Sequence, residues 1–439
     1  MASIVSADWV LPVEGPPIER GAVSIDDGRI TAVGSTEELG TGRHYPDCAI
    51  VPGFVNAHTH LEYAVYAGFA DGLAFGPWLA MHIERKRRLG WDDFAAIARL
   101  GAAECLASGA TTIADASFSG AAAIAASELG LRGIVFLELF GSDPTAALEH
   151  FAELRSSVES KLSARIEIGV SPHAPYSASP AVYRAAYGLD LPVLTHVAES
   201  DDEVDYLLRG EGPITAVSDV EPPGTTSVRH LAREGLLQRG LAAVHCVKVD
   251  AEEIALLARH DVAVIHCPRS NAVLGCGTAP LAELRRAGIR VGLGTDSPAS
   301  TPSFDMFEER RTAVYHARAR EERPEALTAS EVLELATLGG ASALGLDGEL
   351  GSLVAGKRAD LAVVSLAGSP YLPWEDPAVA VVFGGSPDRV QLSLVDGEAR
   401  YEKGGFGWLE LRPAAARARA RLLGRAPHEP ARAPVAQKT

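Results

Sequence analysis

Four histidines and one aspartate recur along the sequence, each directly after a short apolar segment. They are His58, His60, His196, His245 and Asp296, in VPGFVNAHTH, LPVLTHVAES, LAAVHC and VGLGTDS. Folding alone does not require a histidine at the end of one buried strand after another, whereas a metal ion does. Three imidazoles and a carboxylate hold zinc or iron and leave a coordination position open for water. The sequence therefore predicts a metal site that activates water.

His58 and His60 are separated by one residue at the end of a predicted strand. Alternating residues of a strand lie on one face, so both imidazoles point the same way and suit one ion. An HxH pair alone is weak evidence for a metal site. Because other predicted strands also end in a histidine or an aspartate, it is less plausible that all these residues are structural by coincidence. Asp296 could bind the ion and accept a proton from the water. His245 could be a ligand or could orient the water, and we favour the second role.

Two further residues follow predicted strands. Glu199 comes three residues after His196, where a carboxylate can act as a proton shuttle. Alternatively, Glu199 could be an acid that stabilises the start of a helix. The acids at 201–203 are better placed for that role. His173 lies between two prolines in SPHAPYS and is held by a stiff loop. It could be a fourth histidine ligand, a substrate contact or a loop residue, and we favour the substrate contact.

Short apolar strands alternate with longer helical segments through the middle of the chain. Eight such strands are predicted, at 50–56, 111–115, 133–139, 166–171, 192–196, 242–245, 262–266 and 290–294. Eight β–α repeats with buried, non-alternating strands indicate an α/β fold, a parallel (β/α)8 TIM barrel. Its chemistry lies at the C-terminal ends of the strands, which is where the five residues fall.

The two ends of the chain have a different pattern. Residues 1–50 contain short strands and an Asp-Gly turn, and strand-like sequence returns over 346–411. We expect both segments to form one small β domain beside a barrel of residues 51–345. Residues 412–439 are rich in Ala, Arg and Pro, and are predicted to begin with a helix at 413–423 and to end in disorder.

Composition narrows the choice of partners. The 439 residues carry a net charge of −17, which argues against a nucleic-acid surface. No segment approaches the roughly 20 apolar residues that a membrane span needs, and the N-terminus lacks the pattern of a signal peptide. Five scattered cysteines favour reduced thiols in a cytoplasmic protein. The expected partner is a small-molecule substrate.

Several segments together resemble the amidohydrolase superfamily, in particular its branch of metal-dependent deaminases and chlorohydrolases. They are VPGFVNAHTH, SPHAPYS, HVAESDDEV, VHC, CPRSNAVLGCGTAP, GTDSPAS, ATLGGASALG and GSLVAGKRADLAVV, and they run from residue 51 to residue 366. The resemblance implies a distorted (β/α)8 barrel with a small β-sandwich formed by the N- and C-terminal segments. Dimers are common among such barrels, and the sequence leaves the oligomeric state open.

The resemblance also implies roles for individual residues. The metal ligands it implies are His58, His60, His196 and Asp296. Glu199 and His245 match the proton-transfer pair, and His173 matches a histidine that contacts the substrate ring. Two-metal members carry a lysine at the end of the fourth strand, and residues 166–177 contain none, which favours one divalent ion, zinc before iron. Glu62 and Trp78 are further candidates for substrate contacts.

The expected reaction is hydrolytic deamination of an adenine-type nucleoside, with release of ammonia. The segments HTHLE, SPHAPYS and HVAES most resemble those of aminodeoxyfutalosine deaminases, which belong to a route to menaquinone. Adenosylhomocysteine and methylthioadenosine deaminases come next in similarity. One alternative is removal of a halide or hydrolysis of an amide by the same activated water. Another is a barrel that only binds, which the complete set of expected ligands argues against.

Overall fold

The computed structural model describes residues 3–368, 375–405 and 407–425. The strands of the described residues are β1 (Ser3–Val10), β2 (Ile18–Asp26), β3 (Arg29–Ser35), β4 (Arg43–Pro52), β5 (Phe54–Thr59), β6 (Ala110–Ser117), β7 (Arg132–Leu139), β8 (Ile166–Pro172), β9 (Val193–Val197), β10 (Leu241–His245), β11 (Ala263–His266), β12 (Val291–Leu293), β13 (Leu361–Ser365), β14 (Val390–Val395) and β15 (Glu398–Glu402).

The helices in the same part of the chain are α1 (Thr36–Leu39), α2 (Phe75–Lys86), α3 (Trp91–Ala107), α4 (Ala121–Leu129), α5 (Pro144–Val158), α6 (Pro180–Tyr187), α7 (Asp201–Arg209), α8 (Ser227–Arg233), α9 (Ala251–Arg259), α10 (Pro268–Val273), α11 (Leu281–Arg286), α12 (Met306–Glu321), α13 (Ala329–Glu334), α14 (Gly340–Ala343), α15 (Pro377–Val379) and α16 (Trp408–Leu422). A 3-10 turn, Leu61–Tyr66, follows β5 directly.

Strands β5 to β12 form one parallel sheet in which each strand pairs with the next along the chain. The first and last strands meet through a parallel bridge between Thr59 and Asp296, so the sheet curls into a nearly closed barrel. Strands such as β6 and β9 are buried along their whole length, because side chains fill the interior and helices cover the outside. The predicted eight-stranded α/β barrel is confirmed.

The start of the first barrel strand differs from the prediction. The apolar run predicted as one strand at 50–56 is divided between two sheets, since β4 ends at Pro52 and β5 begins at Phe54. Gly53 stands between them, and a Cβ there would lie 2.1 Å from Oγ1 of Thr111. Only glycine fits at this crossing, because the backbone passes directly against the second barrel strand. Because the hydrophobic residues continue on both sides of Gly53, the sequence pattern did not indicate this break between the two strands.

A second, mixed sheet has seven strands in the order β15-β14-β13-β4-β1-β2-β3, taken from both ends of the chain. Its own core includes Ile50 and Leu361. Arg132 joins it to the barrel, because its Nε donates to a carboxylate oxygen of Asp360 over 2.8 Å. The prediction that the two termini build one β unit is therefore confirmed.

The predicted helix at 413–423 is present as α16, which packs on α3. Nε of Arg421 on α16 donates to Asp93 over 2.9 Å. The disorder predicted for the end of the tail falls on residues 426–439, which lie outside the described residues. Within the described chain, none of the helices combines the length and the apolar character that crossing a bilayer would need.

Candidate active site

The barrel brings the four predicted metal ligands together at the C-terminal ends of its strands. His58 lies on β5, His60 follows it, and His196 lies on β9. One ring nitrogen from each of these three histidines falls within 4.8 Å of the others. Oδ1 of Asp296 is 3.6 Å from Nε2 of His58 and 3.5 Å from Nε2 of His60. These four residues could hold one metal ion.

The hydrogen bonds of the imidazoles fit a metal site. Nδ1 of His60 lies 2.7 Å from the carbonyl oxygen of Ala116, and Nδ1 of His196 lies 2.8 Å from that of His173. Each bond fixes the ring and leaves Nε2 facing the cluster. His58 is fully buried, and neither of its ring nitrogens has a hydrogen-bond partner. Because an unpaired buried polar atom is costly, a metal ion is the natural missing partner.

Asp296 is held by two serines that sequence analysis did not single out. Its Oδ2 accepts hydrogen bonds from Oγ of Ser270 over 2.6 Å and from Oγ of Ser300 over 2.9 Å. Oδ1 is thereby left facing the histidines. Burial alone would raise the pKa of Asp296, but the neighbouring imidazoles, that of His58 foremost, lower it well below its usual range. The side chain is therefore an anion suited to a cation.

Glu199 and His245 form a second pair beside this cluster. Oε2 of Glu199 lies 3.6 Å from Nε2 of His245, and both side chains are buried. Burial raises the pKa of Glu199 well above its usual value, and the nearby carboxylate of Asp296 raises it further. Burial lowers the pKa of His245, which keeps that imidazole neutral. The pair thus combines a carboxyl group, whose acid form burial favours, with an imidazole, whose neutral form burial favours.

At the start of α7, the structure distinguishes the acids that stabilise the helix from Glu199. The helix begins at Asp201, and residues 201–203 occupy its first turn, where acids favour the helix dipole. The carboxylate of Glu203 turns back and accepts hydrogen bonds from the backbone N–H groups of Ala198 and Glu199. Glu199 lies before the helix, and its side chain lines the cavity.

Asn271 is a site residue that sequence analysis missed. Its Nδ2 lies 3.0 Å from Nδ1 of His245, on the side of the ring opposite Glu199. Asn271 therefore fixes the orientation of the base. It lies in CPRSN, at the start of α10 after β11, and only its place after a predicted barrel strand could have pointed to it.

A cavity of about 780 Å³, including the solvent at its mouth, opens above the cluster. His173 lines it, and its Nδ1 lies 2.7 Å from Oγ of Ser177, so Nε2 is directed away from the loop. Trp78 also lines the cavity and donates from Nε1 to the carbonyl oxygen of Ala299 over 2.7 Å. A lining that combines aromatic rings with polar groups suits a small organic molecule with one end at the metal ligands.

Among the three predicted substrate contacts, Glu62 is the one whose side chain does not line the cavity. Its carboxylate accepts hydrogen bonds from Oγ of Ser117 over 2.5 Å and from the backbone N–H of Phe118 and Ser119, each over 3.1 Å. It therefore orders the loop before α4. The 3-10 turn after β5 directs the side chain into that loop, so we assign Glu62 no part in substrate binding.

The amidohydrolase family profile matches residues 49–400, which is most of the chain. The chain belongs to the amidohydrolase family. This amidohydrolase is a hydrolase acting on C–N bonds, and its barrel and ligand cluster agree with that membership.

Three similar proteins cover nearly the whole of this amidohydrolase. A 5-methylthioadenosine/S-adenosylhomocysteine deaminase of Moorella thermoacetica is 35% identical, over 90% of this chain and 93% of the other. A 5'-deoxyadenosine deaminase of Methanothermobacter thermautotrophicus is 34% identical, over 90% and 92%. The crystal structure of an adenosine deaminase of Xanthomonas campestris with bound zinc superimposes with a TM-score of 0.86 at 30% identity, covering 96% of this chain and 98% of the other.

Gly294→Ala tests how tightly the barrel fixes its ligands. A Cβ at Gly294 would lie 2.6 Å from Cβ and 2.8 Å from the backbone nitrogen of His58. Such contacts force the backbone of β5 to shift, so we expect about 10-fold weaker metal binding and unfolding about 1–3 kcal/mol easier. Competition with a chelator and urea unfolding measure the two effects.

Gly348→Ala is the matched control, because a Cβ there meets no heavy atom within 4 Å. It should leave both quantities unchanged. Unaltered metal affinity in Gly294→Ala would show that the crossing of β5 and β12 does not position His58.

Proposed function

We propose that this amidohydrolase is a zinc-dependent deaminase that converts the amino group of an adenine-type nucleoside to a carbonyl and releases ammonia. The observation that carries the proposal is the buried Glu199, whose pKa burial raises, paired with His245 directly beside the metal-ligand cluster. Chloride leaves an aromatic ring as an anion once an activated water has attacked, but an amino group must also be protonated before it can leave, and an acid beside the water can supply that proton. The similar proteins named above are deaminases of adenine nucleosides.

His58, His60, His196 and Asp296 would hold the ion, which supplies Lewis-acid activation of water when bound. Asp296 and His245 are placed to orient the attacking water and to accept its proton. Glu199 can donate its proton to the ring nitrogen next to the carbon that bears the amino group, which makes that carbon electrophilic. Of the two protons of the water, one is then delivered to the leaving amine and the other restores the acid form of Glu199. The ring nitrogen keeps the proton that it received, so water and the nucleoside amine yield a carbonyl and ammonia. His173 and Trp78 would contact the bound ring.

Within this class we propose aminodeoxyfutalosine as the substrate and menaquinone biosynthesis as the context. The sequence segments HTHLE, SPHAPYS and HVAES support this choice over the methylthioadenosine and adenosylhomocysteine activities. The alternative reactions are displacement of chloride and hydrolysis of an amide. They would release chloride or a carboxylate, so product analysis distinguishes them from deamination.

The test is ammonia release by the zinc-loaded protein with aminodeoxyfutalosine, adenosylhomocysteine, methylthioadenosine, 5'-deoxyadenosine and adenosine, with guanine and cytosine as controls. We expect ammonia from the adenine nucleosides, with aminodeoxyfutalosine preferred in kcat/KM. Ammonia from guanine or cytosine alone would contradict the nucleoside class, and no ammonia from any compound would contradict deamination. A preference for methylthioadenosine would keep the class and reject the specific substrate.

A further inference from the structure

The acid–base pair of the site stands on backbone in the left-handed conformation. Ala198, the residue before Glu199, has a φ of 53°. His245 has a φ of 75°, and the next residue, Cys246, one of 47°. Residues other than glycine rarely adopt this conformation, because Cβ crowds the neighbouring backbone. Such strain persists only where surrounding contacts hold it, so the position of the pair depends on those contacts.

The backbone of Ala198 joins the two strand ends that carry the pair. Its carbonyl oxygen accepts hydrogen bonds from the backbone N–H of Val247 over 2.9 Å and from that of Lys248 over 2.8 Å. Both donors lie just after His245, so these bonds connect the end of β9 to the segment that follows β10. They hold the carbonyl side of Ala198, and its amide side needs a partner of its own.

Glu203 is that partner. Its Oε1 accepts a hydrogen bond from the backbone N–H of Ala198 over 3.0 Å, and its Oε2 accepts one from that of Glu199 over 2.7 Å. The hydroxyl of Ser227 also donates to Oε1. The side chain of Glu203 is completely buried, where a polar group is costly unless it is hydrogen-bonded. Three donors therefore converge on one carboxylate and fix it behind the strained peptide.

A role in stabilising the helix does not account for this placement. Acids in the first turn of α7 favour its dipole, but residues 201 and 202 already do so, and an exposed carboxylate would serve equally well. The carboxylate of Glu203 instead reaches the two residues before the N-cap Ser200. By contrast, Glu253 in the first turn of α9 accepts a hydrogen bond from the backbone N–H of its own N-cap, Asp250, over 3.0 Å. That is an ordinary capping box.

We propose that Glu203 is a positioning residue for proton transfer, because its carboxylate holds the strained peptide between Ala198 and Glu199. Without these hydrogen bonds, the peptide would rotate out of the left-handed conformation. The carboxyl group of Glu199 would then leave its place 3.6 Å from Nε2 of His245. Glu203 is not among the described residues that line the cavity, so it acts only through Glu199. This proposal rests on the proposed function, in which Glu199 supplies the proton.

Glu203→Gln tests the proposal, since it keeps the size of the side chain but leaves a single acceptor oxygen. In either orientation, the new NH2 group faces one of the two backbone N–H groups, which loses its acceptor. We expect kcat for ammonia release to fall about 10-fold, the scale of one strained residue, with KM and metal content unchanged. Adding Ala198→Gly should restore most of kcat, because glycine adopts a φ of 53° without strain.

Crystal structures of the metal-loaded variants give a measurement that does not depend on activity. The distance between Oε2 of Glu199 and Nε2 of His245 should increase in Glu203→Gln and return toward 3.6 Å in the double variant with Ala198→Gly. If the wild type deaminated no adenine nucleoside, the proposed function would fail, and this distance would still decide on Glu203. An increase that Ala198→Gly reverses supports its positioning role, and an unchanged distance rejects it.

Two controls separate positioning from general stability. Glu253→Gln changes a buried acid in the first turn of another helix and should leave kcat unchanged. Glu322→Gly relieves a φ of 55° at the end of α12 and should not restore kcat to Glu203→Gln. Normal kcat in Glu203→Gln, or a loss that Ala198→Gly does not reduce, would overturn the proposal. If Glu203→Gln does not fold, Ser227→Ala replaces it, with a smaller loss of kcat that Ala198→Gly should again reverse and with the same outcomes counting against the proposal.

Discussion

Replacing His58 with alanine is expected to remove the metal ion and, with it, all measurable turnover. His58 is fully buried with both ring nitrogens unpaired, and its Nε2 faces Asp296 across 3.6 Å. Alanine leaves three of the four ligands and a cavity that water can enter. Since changes to groups that merely orient a ligand already cost about 10- to 100-fold in metal affinity, loss of a ligand should cost more. Metal content after gel filtration, and ammonia release with and without added zinc, measure the effect.

His266→Ala is the control for this experiment. His266 also ends a barrel strand, is buried, and has an Nδ1 without a hydrogen-bond partner. It nevertheless lies outside the ligand groups found among the described residues. We expect this variant to retain its metal. Full metal occupancy in His58→Ala, or loss of metal only in His266→Ala, would mean that the ligand set is wrong.

The meeting of the four candidate ligands at one rim was predictable, because one rule of topology converts sequence into position. Parallel strands of a barrel end on the same rim, so residues that follow successive strands must meet there. His58 and Asp296 are far apart in sequence, yet a hydrogen bond from the backbone N–H of Asp296 to the carbonyl oxygen of His58 joins their strands. No knowledge of side-chain packing was needed for this step.

The residues that orient the site were not predictable in the same way. Asn271, Ser270 and Ser300 are ordinary polar residues of loops and short helices, and their type does not distinguish them from others nearby. Their roles depend on which side chain they face, and that is fixed only when α10 and the loop after β12 pack together. Residue type and spacing alone therefore do not predict which residues orient the site through hydrogen bonds.

Glu62 and Lys86 show that sequence position alone does not predict which side chains line the cavity. Glu62 was expected to line it and does not, whereas Lys86 was not expected to line it and does. Glu62 follows the HTH motif so closely that its sequence position suggests the cavity, but the 3-10 turn gives its carboxylate to the loop before α4. Lys86 looks in sequence like one of several basic residues at the end of a helix, ERKRR. Only the fold places it among aromatic rings at the cavity wall, next to Glu138 from a distant strand.

Glu199→Gln is expected to lower kcat by about 10²-fold or more while the metal stays bound. Glutamine keeps the size of the side chain and can still donate a hydrogen bond, but it cannot transfer a proton to the ring and recover it. Because the four candidate ligands His58, His60, His196 and Asp296 are unchanged, metal content should equal that of the wild type. Since the substrate would be held mainly by other residues of the cavity, KM should change little. Steady-state ammonia release and metal analysis of the same preparation give all three quantities.

The control must separate the loss of a proton donor from the loss of any buried acid. Glu104 serves, because burial raises its pKa to about 7 and one of its carboxylate oxygens is buried without a partner, on α3 away from the cavity lining. Glu104→Gln should leave kcat unchanged. If Glu199→Gln turned over at a near-normal rate, Glu199 would have no part in the chemistry, and the proton would have to come from His245. If instead it lost its metal, the carboxylate would belong to the ligand set, and Asp296 and His245 would be the remaining groups able to move protons.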